Sequence, residues 1–190
     1  AKLASQLLRR LLAGALALHL VDARLNLLQI GGGGLQLCFA LLDALRGSHP
    51  VVLLAPFSSR RQAWKRYPMD RWAEIGRALA SEGTVVVILA GPGEEDEVRQ
   101  IAAAGGPLVQ PCGDLDLRGL AALISAAPVL IGGDTGPMHL GWAGGAHVIA
   151  IYGPTDPVLN APFGDGHVVL APEKRTGRED EERFPGITPQ

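Results

Sequence analysis

Residues 128–144 read PVLIGGDTGPMHLGWAG. Pro128 to Ile131 is a short apolar run, Gly132-Gly133 a tight turn, and Thr135-Gly136-Pro137 the opening of a helix. Thr135 is a residue type favoured at an N-cap, and Pro137 suits a first helical position. A strand that turns through glycine into a helix presents the helix's first amides. These have no intrahelical partner and carry the positive end of the dipole. An anion, above all a phosphate, is their natural occupant. Asp134 sits in the turn, Gly136 permits close approach of a ligand, and His139 falls within the first turn as a further donor. Thr135 and His139, four residues apart, share a helix face.

The same strand–turn–helix pattern repeats on both sides of this segment. Apolar runs occur at Val51 to Ala55, Thr84 to Leu89, Leu108 to Gln110, Pro128 to Ile131, His147 to Tyr152 and His167 to Leu170. Between them, Asp70 to Ser81, Glu94 to Ala104 and Asp116 to Ala126 carry apolar residues at helical spacing, such as Trp72, Ile75 and Leu79. Continuous apolar strands separated by amphipathic helices predict an α/β fold, a parallel sheet covered on both faces. The expected architecture is a Rossmann-like doubly wound layer, whose ligands bind beyond the carboxyl ends of the strands.

Residues 1–30 read as helical, with Leu8, Leu11, Leu12 and Ala15 recurring at helical spacing. Four glycines, Gly31 to Gly34, open a linker over 31–49. They lack the Lys-Ser/Thr of a phosphate-binding P-loop. The nucleotide-binding domain is expected over 50–171. The stretch 172–190 is rich in charge and poor in apolar residues, and is expected to be a solvated, poorly ordered tail. The first residue is Ala1 rather than Met, and the expectation is a fragment of a longer protein.

Hydrophobic residues make up 47% of the 190, enough for a packed core, and the formal net charge is −2 with no basic run. That argues against nucleic acid as a partner. The five histidines and two cysteines show no ligand spacing, so no metal site is expected. The cysteine usage fits a reduced, cytoplasmic compartment.

Three further turns follow strands. The first, Pro56 to Pro68, offers the hydroxyls of Ser58 and Ser59 and the cations Arg60, Arg61, Lys65 and Arg66, a density that suits a diphosphate as well as a solvated basic loop. The second, Ala90 to Asp96, places Glu94 where an acid after an α/β strand accepts from ribose hydroxyls; taken by itself, helix capping is the better account of it. The third, Gly153 to Pro157, adds Thr155 and a carboxylate. All are expected to face one cleft.

These blocks resemble a known family. GGDTGPMHLGWAGGAHVIAIYGPTDP (132–157) is similar to the signature of glycosyltransferase family 9, the bacterial heptosyltransferases of lipopolysaccharide core synthesis. PFSSRRQAWKRYPMDRWAEI (56–75) and LAGPGEEDE (89–97) resemble its donor loops. HLVDARLNLLQ (19–29) resembles the end of its acceptor domain. The resemblance implies the C-terminal half of a GT-B fold and an inverting transfer of heptose from an ADP-sugar to a lipopolysaccharide core acceptor, without a bound metal or cofactor. It implies that Ser58, Ser59 and Lys65 meet the diphosphate, that Glu94 holds the ribose and that Leu115 lines the adenine pocket. Asp134, Thr135, Gly136 and His139 would meet phosphate and sugar, and Thr155 would complete the pocket. Lys65 and His139 would stabilise the leaving group, and the general base would lie outside the chain. It also implies a peripheral protein at the inner face of the bacterial inner membrane. The competing readings are a non-catalytic nucleotide-binding module, a GT-B-like sugar-nucleotide epimerase, a dinucleotide oxidoreductase (weakened by the missing Gly-x-Gly-x-x-Gly) and a ligand-free remnant.

Overall fold

The computed structural model describes residues 49–113, 115–174 and 176–189. The expectations for residues 1–48, helical end and linker, lie outside the described residues. Six strands form one parallel sheet: β1 (Val51–Ala55), β2 (Val85–Leu89), β3 (Val109–Cys112), β4 (Val129–Gly133), β5 (His147–Ile151) and β6 (Val168–Leu170). Their spatial order is β3-β2-β1-β4-β5-β6. β1 lies at the centre, with Val52 opposite both Val86 and Val129. Between the strands run α1 (Met69–Ser81), α2 (Glu95–Gly105), α3 (Leu117–Ala126), α4 (Gly136–Ala143) and the single turn α5 (Pro157–Asn160). A 3-10 segment, Arg60–Lys65, precedes α1.

Strand alternation divides the core in two. Val52, Leu54, Val86 and Ile88 face α1 and α2, meeting Trp72, Leu79, Val98 and Ile101. Val51, Leu53, Val85 and Val87 face the opposite side, meeting Leu123 and Ile124 of α3 and Met138 of α4. Both faces of the central strands are therefore dry, which explains why those strands are unbroken apolar runs. Each fully buried Leu or Ile contributes roughly 1.5–3 kcal/mol. The edge strand β3 contains Pro111, whose missing donor is tolerated because one side of an edge strand needs no partner.

The C-terminal stretch departs from its expectation. Glu179 to Glu182 are exposed, as a charged tail should be. Phe184 is buried, however, and packs edge-on against Tyr67 at 5.2 Å between ring centroids. The Tyr67 hydroxyl and the Arg71 guanidinium both donate to the carbonyl of Ile187, at 2.9 and 2.6 Å. Gly153 makes room for this clasp: a Cβ there would stand 2.5 Å from Phe184 Cε1. One aromatic residue is enough to anchor a segment whose average composition reads as solvated.

Candidate functional site

The sheet reverses its order between β1 and β4, so the helices leave those two strands toward opposite faces. A crevice opens at their carboxyl ends, where open α/β sheets hold ligands. A cleft of about 550 Å³ lies there. The loop after β1 contributes Phe57, Ser58, Ser59, Arg60 and Gln62; the loop after β2 contributes Gly91 and Glu94; the β4–α4 turn contributes Thr135, Gly136 and Pro137.

The β4–α4 turn forms the floor. Thr135 occupies the N-cap position with extended backbone, and Pro137 lies in the first turn. The capping expectation holds in position but not in chemistry, because the Thr135 side chain makes no cap bond. Its Oγ1 is buried with no hydrogen-bond partner. An orphaned buried hydroxyl costs about 1–3 kcal/mol. Among the described residues the Trp72 indole N–H is also buried and unpartnered, but it lies in the α1 core and not in the cleft. Thr135 alone of the two opens on a cavity.

Asp134, one residue earlier, is also buried. Its Oδ2 accepts from Lys65 Nζ at 3.0 Å, and its Oδ1 lies 3.5 Å from His139 Nε2. One carboxylate thus gathers the lysine of the first loop and the histidine of α4 beside the helix N-terminus. Tyr152 lies beneath. Burial, with the negative charge of Asp134, pushes its phenol up from the ordinary tyrosine range, so the hydroxyl stays protonated and donates to the Asn160 carbonyl.

The walls are tied to themselves. Ser58 Oγ donates to the Gln62 carbonyl at 2.8 Å, closing its own loop. Arg66 Nη2 donates to Glu94 Oε1 at 2.6 Å, and the amide of Gly91 donates to Glu94 Oε2 at 2.9 Å. Arg60 reaches the Gly93 carbonyl at 2.6 Å. Ser59 is exposed at the rim.

Ser58, Ser59, Glu94, Thr135 and Gly136 therefore share one cleft, and Lys65, Asp134 and His139 form a cluster beside its floor, next to Thr135 but outside the lining residues. Two other expected residues, Leu115 and Thr155, lie neither in that lining nor in that cluster. Leu115 packs, half-buried, on the α3 and α4 side of the sheet, and Leu120 of α3 lines the cleft instead. Thr155 is not among the lining residues. Its loop follows β5, one strand farther from the reversal, and turns at once into α5 through an Asp156 cap. Sequence reasoning counted Arg66 only as local charge and missed its bond to Glu94. Nothing in a basic loop shows which of four cations reaches an acid 28 residues away. Among the described residues, no group of three or more His, Cys, Asp or Glu is placed to hold a metal ion, and no helix is long and apolar enough to cross a membrane.

This site can be set beside known proteins. Lipopolysaccharide heptosyltransferase 1 of Escherichia coli K12 is 31% identical over 105 residues, which cover 55% of this chain and 33% of that protein. The solved structure of E. coli ADP-heptose lipopolysaccharide heptosyltransferase II superposes with a TM-score of 0.68 at 23% identity, covering 85% of this chain and 49% of the other. An E. coli heptosyltransferase solved with ADP superposes with a TM-score of 0.59 at 27% identity, covering 65% and 38%. The chain thus spans a third to a half of the length of these relatives. The sequence profile of glycosyltransferase family 9 (heptosyltransferase) matches residues 35–184. The chain belongs to glycosyltransferase family 9, the heptosyltransferase family.

Proposed function

We propose that this chain is the donor-binding half of a glycosyltransferase that moves a heptose from an ADP-sugar to a lipopolysaccharide core acceptor, with inversion at the anomeric carbon. The observation that carries the reading is Thr135, a cleft-lining residue at the N-terminus of α4 whose buried hydroxyl has no hydrogen-bond partner. A diphosphate oxygen supplies what that hydroxyl and the free amides of α4 lack. The ADP bound to one relative is a ligand of that kind.

In this reading the acceptor oxygen forms a bond to the anomeric carbon as the bond from that carbon to the β-phosphate oxygen breaks. Negative charge grows on the departing ADP. In this reading Lys65, His139 and the α4 amides oppose that charge and lower the barrier electrostatically. Asp134 holds Lys65 and His139 together before the donor arrives. Glu94 takes the ribose hydroxyls. The base that removes the acceptor proton comes from outside the described residues, and the reaction needs no bound metal or cofactor. The protein works in the cytoplasm, peripheral to the inner face of the bacterial inner membrane, where such an acceptor is presented.

Calorimetric titration with ADP-heptose, ADP and UDP tests the reading. ADP-heptose is expected to bind most tightly and UDP most weakly. Equal affinity for ADP and ADP-heptose would instead describe a nucleotide-binding module. UDP binding tighter than ADP would point to a different nucleotide-sugar enzyme.

A further inference from the structure

Arg66 stands just behind the cleft lining and is the most heavily bonded cation of the loop after β1. Its side chain is 18% exposed, and its guanidinium carbon lies 4.9 Å from the centre of the Phe57 ring. Nε donates to the Ser58 carbonyl at 3.0 Å, Nη2 donates to the same oxygen, and Nη2 also donates to Glu94 Oε1 at 2.6 Å. One guanidinium therefore joins the loop after β1 to the acid after β2, the two walls of the cleft. Glu94 is fixed from the other side as well. Its Oε2 folds back onto the Gly91 amide, and a Cβ at Gly91 would stand 2.8 Å from that oxygen. A side chain at position 91 would therefore push the carboxylate out of this position.

Two ionised oxygens offer about four acceptor positions. Arg66 and Gly91 occupy two of them. Two remain on a carboxylate that lines the cleft, enough for a vicinal diol. The charge balance also matters. A lone buried carboxylate would repel a nucleoside diphosphate, whereas a carboxylate paired with Arg66 can accept from hydroxyl groups without that repulsion. A lysine in the same place could pair with the acid, but its single ammonium lacks the planar fork that also grips Ser58.

We infer that Arg66 is a positioning residue for nucleoside recognition: it fixes and neutralises Glu94 so that the carboxylate reads the two ribose hydroxyls of the donor. This rests on the donor-binding reading above and adds a residue that acts on the ribose only through Glu94.

The test is a double-mutant cycle on the whole 190-residue chain, with ADP, adenosine and inorganic pyrophosphate as probes in calorimetry and competition. R66Q is expected to weaken ADP about tenfold and adenosine by a similar factor, and to leave pyrophosphate within about twofold. E94Q is expected to cost at least as much for ADP. In the E94Q background, R66Q is expected to cost less than about twofold, because the residue it acts through has been neutralised. R66K, which keeps the charge, is expected to recover part of the affinity, and it carries the test if R66Q does not fold. Equal R66Q penalties with and without Glu94, or a matching loss for pyrophosphate, would overturn the inference while leaving the donor reading intact. Failure of the wild-type chain to bind ADP would overturn both.

Discussion

The walls and the floor of the cleft follow opposite rules. In the walls, the polar groups singled out by sequence are already engaged: Ser58 with Gln62, Glu94 with Arg66 and Gly91, Arg60 with Gly93. At the floor, the Thr135 hydroxyl has no partner, and Gly136 and Pro137 of the first turn of α4 line the cleft. A buried polar group left without a partner marks a place for a ligand. Substitutions behind the walls should therefore change stability first. Substitutions at the floor should change binding first.

The largest effect lies behind the walls. Tyr67, next to Arg66, rests on Phe184, so Phe184→Ala opens a cavity under the first loop. Unfolding in urea should show a loss of about 3–5 kcal/mol. A loss under about 1 kcal/mol would show that the C-terminal clasp does not support the wall. Beside the floor, Lys65→Ala and His139→Ala should each weaken ADP by about 1–3 kcal/mol in calorimetry, the range for a charge-assisted hydrogen bond. Unchanged affinity in both would remove the phosphate assignment.

Thr135→Val gives the sharpest division between the two rules. The change keeps the shape of a hydroxyl that is unsatisfied in the free protein. Thermal unfolding should show stability unchanged or higher by up to about 1 kcal/mol, while ADP binding weakens by about 1 kcal/mol. A destabilised variant would mean that the hydroxyl already has a partner.

The smallest effect is a pH dependence far from the cleft. Burial holds His167 below the ordinary histidine value near 6.5, and its Nδ1 accepts from the Val148 amide at 3.1 Å. On acidification the unfolded chain takes up this proton before the folded one does. The contribution is therefore intact above about pH 6.5 and is lost as pH falls toward the lower folded value. His167→Asn, which keeps an acceptor, should flatten that part of the melting-temperature profile. An unchanged profile would assign the acid sensitivity to other groups.

Much of this was legible in the sequence, for identifiable reasons. β1, β2 and β4 are buried on both faces, so each reads as an unbroken apolar run at its true place, within one or two residues at its ends. The start of α4 is legible because threonine and proline there each have a local conformational meaning, whereas Gly132 and Gly133, read as a tight turn, belong to β4. Arg66–Glu94 and Phe184–Tyr67 were not legible, because each joins residues brought together only by the parallel sheet and its helices. Thr155 was misplaced for a related reason: sequence shows that a turn follows a strand, but not how far that strand lies from the reversal of order.

The central claim is that the floor at Thr135 and Gly136 receives the diphosphate. Amide chemical shifts of the isotope-labelled chain, followed through a titration with ADP, test it directly. The account predicts the largest changes at Thr135, Gly136 and Met138, with smaller ones at Ser59 and Gly91. Shifts confined to residues 153–163, or none at millimolar ADP, would contradict it.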